Sequence, residues 1–519
     1  MCEAARTPPP SILRRAATFF LHAIPIFMVD GAKLLVPALT TMHVGHAATK
    51  AAPLAAASLG VLAFNVAGNM IVTAPLSAMD TIAPQAFGAG NAAGVGLTAQ
   101  RALLTGLVLL VPTTPLWIFA TDILTALGQP PDVAALAQRF MLLLLPALPP
   151  FAIFEVARKY VYAQNIQWPP LPAAVIGLAS HALWLHVTSA AMGPSGAPLA
   201  PALTYSTMAL ILLALIRWRL PQAAAAWPRT RGERRLLWRD RPAWRHFLAT
   251  SAASLLSLTE WLFWEFVCFR AGRLGVLPLA AYSVGYSLEP IFFMLALGIS
   301  TAISNAVGNL LGAAQVTEAR RTTATGLGVG CATVGTYVVG AFCTRDGLIG
   351  LFSQDPAVLA ASVATWTPWC IFMLVSGVFA LLLGLVKGLG LQKQMAALVV
   401  CVLWPVGAPL VWLADSPSRL WQMLTITYGL LATTMALIAG CSNWQRLSEA
   451  AVKHSTSATA GAGGQSGVAS GTGGGGGGGG GLAAADGYAA QAKAALELQD
   501  QSQRQSEVAV SVLDSSHST

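Results

Sequence analysis

The sequence predicts an all-α polytopic membrane protein, with about twelve transmembrane helices arranged in two pseudo-symmetric six-helix bundles. Three observations carry that expectation. The 519 residues are 55% hydrophobic and only 10% charged, with a mean hydropathy of +0.63, whereas soluble domains carry roughly 25% charged residues. No Asp, Glu, Lys or Arg occurs between Lys159 and Arg217, a stretch long enough for two spans of about 20 residues each. Short segments of the first half also recur, at one fixed spacing, in the second.

Apolar runs place the spans near 17–41, 55–80, 95–120, 134–158, 171–191, 197–219, 245–269, 277–305, 320–343, 357–385, 394–414 and 418–442. Basic residues fall at the N-terminus (Arg14, Arg15) or at alternate connections: Arg101, Arg158 with Lys159, Arg320 with Arg321, and Lys387 with Lys393. The remaining ones near spans, such as Lys50, Arg270 and Arg345, are scattered singly. Nine arginines lie between Arg217 and Arg245, opposed only by Glu233 and Asp240. The positive-inside bias makes that segment a cytoplasmic loop and puts both termini on its side. It also accounts for the net charge of +9 without nucleic acid. The cysteines show no CxxC pairing and no histidine spacing suits a metal, so neither a disulfide framework, a metal site nor a cofactor is expected.

The expected organisation is an N-terminal segment (1–16), a first lobe (17–219), a basic linker (220–244), a second lobe (245–442) and a tail (443–519). Nine glycines run from Gly473 to Gly481, and such composition predicts a disordered tail with at most a short helix over 489–508. The internal repeat links Gln85–Asn91 to Asn309–Gln315, and Leu127–Val133 to Leu351–Ala357, each pair standing 224 positions apart. An even number of helices per half gives both halves one orientation, related by an axis along the membrane normal.

Charge inside a bilayer costs on the order of 2.5–3.5 kcal/mol by insertion scales, so the embedded acids become the candidate site. Glu260 and Glu265 lie on the seventh span, about 140° apart around the helix, so one lines a pathway while the other faces its own lobe. A carboxyl that takes a proton from one side and releases it to the other also gains and loses its attraction for a cation. The alternative is a glutamate paired with Arg270 or Arg273. Glu289 precedes Pro290, whose ring removes a helix hydrogen bond beside the acid. Asp30 and Lys33 share a face of the first span and form either an ion pair or a proton site. Asp80 is expected to cap or otherwise fix the turn after the second span rather than touch substrate, and Glu155, Arg158 and Lys159 to form a mixed interfacial and structural cluster at the inner end of the fourth span. Trp261, Trp264 and Tyr286 can offer faces to a cationic or planar molecule, although each can equally be packing. Asn65 adds a polar group on the second span.

The run Ser77-Ala-Met-Asp-Thr-Ile-Ala-Pro-Gln-Ala-Phe-Gly-Ala-Gly90, followed by Gln100-Arg101, resembles the signature of multidrug and toxic compound extrusion (MATE) transporters. Val44-Gly-His46, Val307-Gly-Asn-Leu-Leu-Gly312 and Lys387-Gly-Leu-Gly-Leu-Gln-Lys393 resemble further elements of that family. Glu260-Trp-Leu-Phe-Trp-Glu265 resembles the Glu-Trp-Trp-x-x-Glu element of its eukaryotic members, and Thr40 stands where prokaryotic members place an Asp. The resemblance covers residues 17–442. It implies two bundles in a V shape and alternating access. It also implies efflux of organic cations, drugs or secondary metabolites in exchange for protons, by a monomer in the plasma membrane or a vacuolar-type membrane. Ser287 and Ser376 stand at two acidic positions of some animal members, and Ala296 replaces a proline usual in the middle of the eighth helix.

Two other classes are alternatives to this reading. A lipid or lipid-linked flippase of the same superfamily shares the architecture. A polytopic membrane enzyme requires a clustered nucleophile, base or metal constellation at one face, and none is evident. No GxxxxGK[ST] motif supports ATP-driven pumping.

Overall fold

The computed structural model describes residues 12–47, 51–353 and 355–463. Residues 1–11, Lys50 and the Gly-rich segment with its expected short helix lie outside the described residues. Among these residues twelve helices are long and apolar enough to cross a membrane. They are α1 (Phe19–His46), α2 (Ala55–Gly88), α3 (Ala92–Ile118), α4 (Pro131–Ala163), α5 (Pro170–Met192), α6 (Ser195–Arg219), α7 (Arg241–Gly272), α8 (Val276–Gly312), α9 (Val316–Cys343), α10 (Pro356–Gly388), α11 (Gln392–Leu413) and α12 (Pro417–Cys441). Continuous helix extends α1 back to Ile12.

Two separate hydrophobic cores define two lobes. One is built mostly from α1–α6, around side chains such as Phe154, Tyr162 and Met208, and takes in Phe247 of α7 and Ala302 of α8; the other is built mostly from α7–α12, around Trp369, Phe372 and Trp421, and takes in Ala23 of α1. Several helices are interrupted where residues of site interest lie. α2 passes through a π-helical segment at Phe64–Asn69 and α11 through one at Leu403–Gly407. α7 breaks at Leu258, so Glu260 occupies the first turn of its second segment, Thr259–Gly272. The linker contains a short helix, Arg231–Arg239, opened by a capping box in which Thr230 and Glu233 exchange hydrogen bonds. The backbone N–H of Thr230 holds the Glu233 carboxyl below the usual carboxylate range.

Composition alone predicts disorder from 443, but Trp444–Gly463 forms a helix, α13. Tertiary contact supplies what composition does not show. Trp444 is buried, Ser448 Oγ donates to the carbonyl of Leu311 at 2.7 Å, and Asn91 Nδ2 donates to that of Ser455 at 2.6 Å.

The lobes meet at the face that carries the linker and α13, through α1 with α8 and through α2 with α7 and α8. The repeat of the sequence is the centre of this contact. α2 ends on Gly90 (φ 76°) and α8 on Ala314 (φ 58°). In each turn the left-handed residue donates three positions back, Gly90 to Phe87 and Ala314 to Leu311. The next residue donates five back, Asn91 to Ala86 and Gln315 to Leu310. Side by side, the two ends leave no room for a β-carbon. A methyl on Gly88 would land on the carbonyl of Asn309, and one on Gly312 on the carbonyl of Gln85.

Glycine removes the left-handed penalty that alanine pays, on the order of 1–2 kcal/mol. Ala314→Gly is therefore expected to raise stability, whereas Gly88→Ala and Gly312→Ala are expected to force the lobes apart at this face. Thermal unfolding reads the first change. Disulfide trapping between Gln85→Cys and Asn309→Cys reads the second, with less cross-link in the alanine variants.

Candidate functional site

The embedded acids separate into three groups. In the first lobe Asp30 belongs to a closed network of ion pairs. Its Oδ1 lies 2.7 Å from Lys33 Nζ and 3.2 Å from Arg158 Nη2. Lys33 donates to Glu155 Oε1 at 2.8 Å, and Arg158 grips Glu155 through Nε and Nη2 at 2.9 and 2.8 Å. Glu155 is only 2% exposed, so the expected cluster is structural and buried, and Lys159 leaves it to pair with Asp80. The helical register of α4 turns Glu155 and Arg158 inward toward α1. Two acids here face two bases, which compensates the cost of burying each.

Asp80 forms the second group, and of its two expected roles it fixes the end of α2 by ion pairs and does not cap it. Asn91 caps α3 instead, accepting from Gly94 N at 2.8 Å. Asp80 pairs with Lys159 of its own lobe and with Lys387 of the other at 3.4 Å. Thr81 Oγ1 donates to the carbonyl of Lys387 at 2.5 Å, and Ser304 Oγ to that of Asp80 at 3.0 Å. Gln85 donates to Gly388 at 3.2 Å, and Asn309 donates to Ala163 at 3.2 Å. The signature after the second span is thus a latch between lobes.

The third group lies in the second lobe and differs in kind. Glu260 Oε1 accepts from the Tyr428 hydroxyl at 2.9 Å. Glu289, 9% exposed, lies within electrostatic reach of Glu260 and Tyr428. Among the described residues neither acid has a Lys or Arg within ion-pair distance. Trp264 packs on the ring of Tyr428, the partner of Glu260, at 6.1 Å, and lies 6.1 Å from Tyr286 and 5.7 Å from Phe372. Tyr282 stacks between Tyr286 and Trp421, at 5.9 and 4.9 Å. Trp421 Nε1 and the Tyr337 hydroxyl are buried donors without an acceptor among the described residues.

The structure therefore gathers four of the expected residues, Glu260, Glu289, Trp264 and Tyr286. Trp261, 58% exposed, does not join them; Glu265 is exposed and lies within electrostatic reach of Tyr286, at the edge of the group. The pairing offered as an alternative for these glutamates does not form either. Arg270 donates instead to the carbonyls of Trp412 and Ala414, at 3.0 and 2.5 Å, and lies over the Trp412 ring. Asn65 sits in the π-helical segment of the first lobe, remote in sequence from the cluster yet 224 positions before Glu289. Tyr428 and Phe372 were not anticipated. The one available signal is that α12 carries a single tyrosine.

A family model, MatE, matches twice, over residues 25–186 and 252–413, once in each lobe. The chain belongs to the MatE family. Mouse multidrug and toxin extrusion protein 1 is 27% identical over 459 residues, covering 86% of this chain and 78% of that protein. Rabbit multidrug and toxin extrusion protein 2 is 28% identical over 465 residues, covering 86% and 74%. The crystal structure of the eukaryotic MATE transporter AtDTX14 superposes with a TM-score of 0.76 at 20% identity, covering 86% of this chain and 99% of that one. The bent form of the Vibrio cholerae MATE transporter VcmN gives 0.72 at 15% identity, with the same coverage. This MatE protein is accordingly a multi-pass membrane protein of a multidrug and toxin extrusion transporter family.

Removing one partner from a buried ion pair typically costs about 3–5 kcal/mol. Arg158→Met in this MatE protein is expected to lower thermal stability strongly. Arg158→Met combined with Glu155→Met, which leaves Asp30 with Lys33, is expected to recover most of the loss. Unfolding in detergent, followed by intrinsic tryptophan fluorescence, compares the two.

Proposed function

We propose that the protein exports organic cations, drugs or secondary metabolites in exchange for protons, with Glu260 and Glu289 as the exchanging groups. The observation that carries this reading is the pair of embedded carboxyls in the second lobe without a fixed counter-cation, under an aromatic wall. An embedded carboxylate needs a positive partner. Asp30, Glu155 and Asp80 have permanent ones, whereas Glu260 and Glu289 can be neutralised either by a proton or by a cationic cargo. The two occupants exclude each other, and that exclusion is the basis of antiport. Trp264 and Tyr286 supply ring faces for a cation. Trp421 Nε1 and the Tyr337 hydroxyl supply donors for polar groups of the cargo. Glu265 has a secondary role in this reading, because the helix turns it away from Tyr428.

Alternating access then amounts to opening and closing the lobes about the latch. In the described conformation the lobes are together at the linker face, which the positive-inside bias assigns to the cytoplasm together with both termini. Closure there directs the carboxyl cluster toward the opposite side, where protons enter and cargo leaves.

Proteoliposomes carrying an imposed pH gradient and a fluorescent organic cation test the proposal. Glu260→Gln and Glu289→Gln keep side-chain shape and remove charge, and each is expected to cut gradient-driven flux by about tenfold or more, or 1.4 kcal/mol. Glu265→Gln is expected to retain most of it. Movement independent of the pH gradient, or wild-type exchange in both Glu260→Gln and Glu289→Gln, contradicts the mechanism. Flux driven by a sodium gradient in its place reassigns the ion.

A further inference from the structure

A second polar site lies at the linker face, away from the carboxyl cluster. There a cavity of about 520 Å³ opens between the start of α3, the start of α7, the start of α11 and the underside of α13. Its walls carry Arg101, Arg241, Arg245, Lys393, His246 and His454, and no Asp or Glu. Asp240, just outside it, partners Arg101 of the wall and leaves the other bases unpaired with it. One of its oxygens caps Ala243 N at 3.0 Å and the other lies 3.7 Å from Arg101 Nη2. Among the described residues no carboxylate is within ion-pair distance of Arg241, Arg245 or Lys393.

The positive-inside bias asks for basic residues on a face, not for their convergence on one concavity from both lobes and the C-terminal helix. Arg101 in particular is not a loose surface charge. It is 4% exposed, its guanidinium stacks over Trp244 at 5.8 Å, and its Nε is buried without an acceptor. His246 and His454 stack in parallel, with centroids 4.4 Å apart, which joins α7 to α13 along one wall. A volume of this size is that of a small-molecule site, typically 300–1,000 Å³, and exceeds what a single inorganic anion fills. Planar guanidinium forks are suited to phosphoryl oxygens.

We infer that this cavity binds an anion carrying two or more phosphoryl groups, held by Arg101, Arg245 and Lys393 across the junction of the lobes. Arg101 belongs to the first lobe, Arg245 and Lys393 to the second, so the occupant ties the lobes together at this face. Free polyphosphates and phosphorylated lipid headgroups share the required chemistry. The inference about binding is independent of the transport reading, although any effect on the transport cycle rests on it.

The test uses the full chain in nanodiscs. Binding of inositol trisphosphate and of pyrophosphate is measured by thermal shift and calorimetry in discs of phosphatidylcholine alone. A second arm compares those discs with discs containing phosphatidylinositol 4,5-bisphosphate. Stabilisation by the soluble probes identifies a free polyphosphate site, and stabilisation by the lipid alone a headgroup site; either supports the inference. Arg245→Ala with Lys393→Ala, both exposed positions, is expected to weaken binding by about tenfold or more. Arg345→Ala, a lone arginine at the opposite face, is expected to leave it unchanged. No stabilisation by any probe, or equal stabilisation of wild type and the Arg245→Ala, Lys393→Ala variant, overturns the inference. Because binding is read without transport, failure here leaves the carboxyl-exchange proposal standing, and failure there leaves this one.

Discussion

The whole arrangement depends on one close approach, that of the ends of α2 and α8. Gly88 lies against the carbonyl of Asn309 while Gly312 lies against that of Gln85. This is the same contact made twice about a two-fold axis. Backbone can meet backbone only where no β-carbon intervenes, and here the missing β-carbons are matched in register. Around that seam lie the polar ties, Thr81 to Lys387, Gln85 to Gly388 and Asn309 to Ala163. They satisfy carbonyls at the ends of α4 and α10 that helix geometry leaves open. A seam of short polar contacts and few bulky side chains is suited to parting and re-forming, whereas each lobe holds together through its own apolar core.

Within that frame the two lobes use charge in opposite ways. The first lobe neutralises its acids within itself, Asp30 and Glu155 against Lys33 and Arg158. The second lobe leaves Glu260 and Glu289 with a tyrosine hydroxyl and aromatic rings. The same residue type is thus held in ion pairs on one side and left beside a hydroxyl and rings on the other. The difference lies in whether a long basic side chain reaches it.

Much of this was legible in the sequence because a bilayer reduces the problem to counting. Apolar length set the spans, basic residues set their grouping, and a spacing of 224 set the repeat. The acids on α7 and α8 stood out for their cost alone. What stayed hidden is rotation and partnership. Hydropathy says that Glu155 lies on a helix but not that the helix turns it toward Lys33, 122 positions away. Nor does it distinguish Glu260 from Glu265, which a break at Leu258 and a hydroxyl 168 positions away set apart. Trp444–Gly463 was misjudged because its order comes from docking on Leu311 and Asn91, and docking leaves no trace in composition.

The repeat has one further consequence, visible at Asp80. A two-fold axis sets each residue opposite its own copy, so a dimer of identical halves would bring two aspartates together where this chain has Asp80 and Ser304. Fusion into a single polypeptide frees the copies to diverge. Here the residue facing Asp80 is a serine that donates a hydrogen bond to its carbonyl, and the partner of Asn65 at the same spacing is Glu289. Repulsion at the axis is relieved and a chargeable group appears in one half only. A duplicated ancestor with equal halves would have had to carry the same charge in both; the fused chain carries it at this position in one.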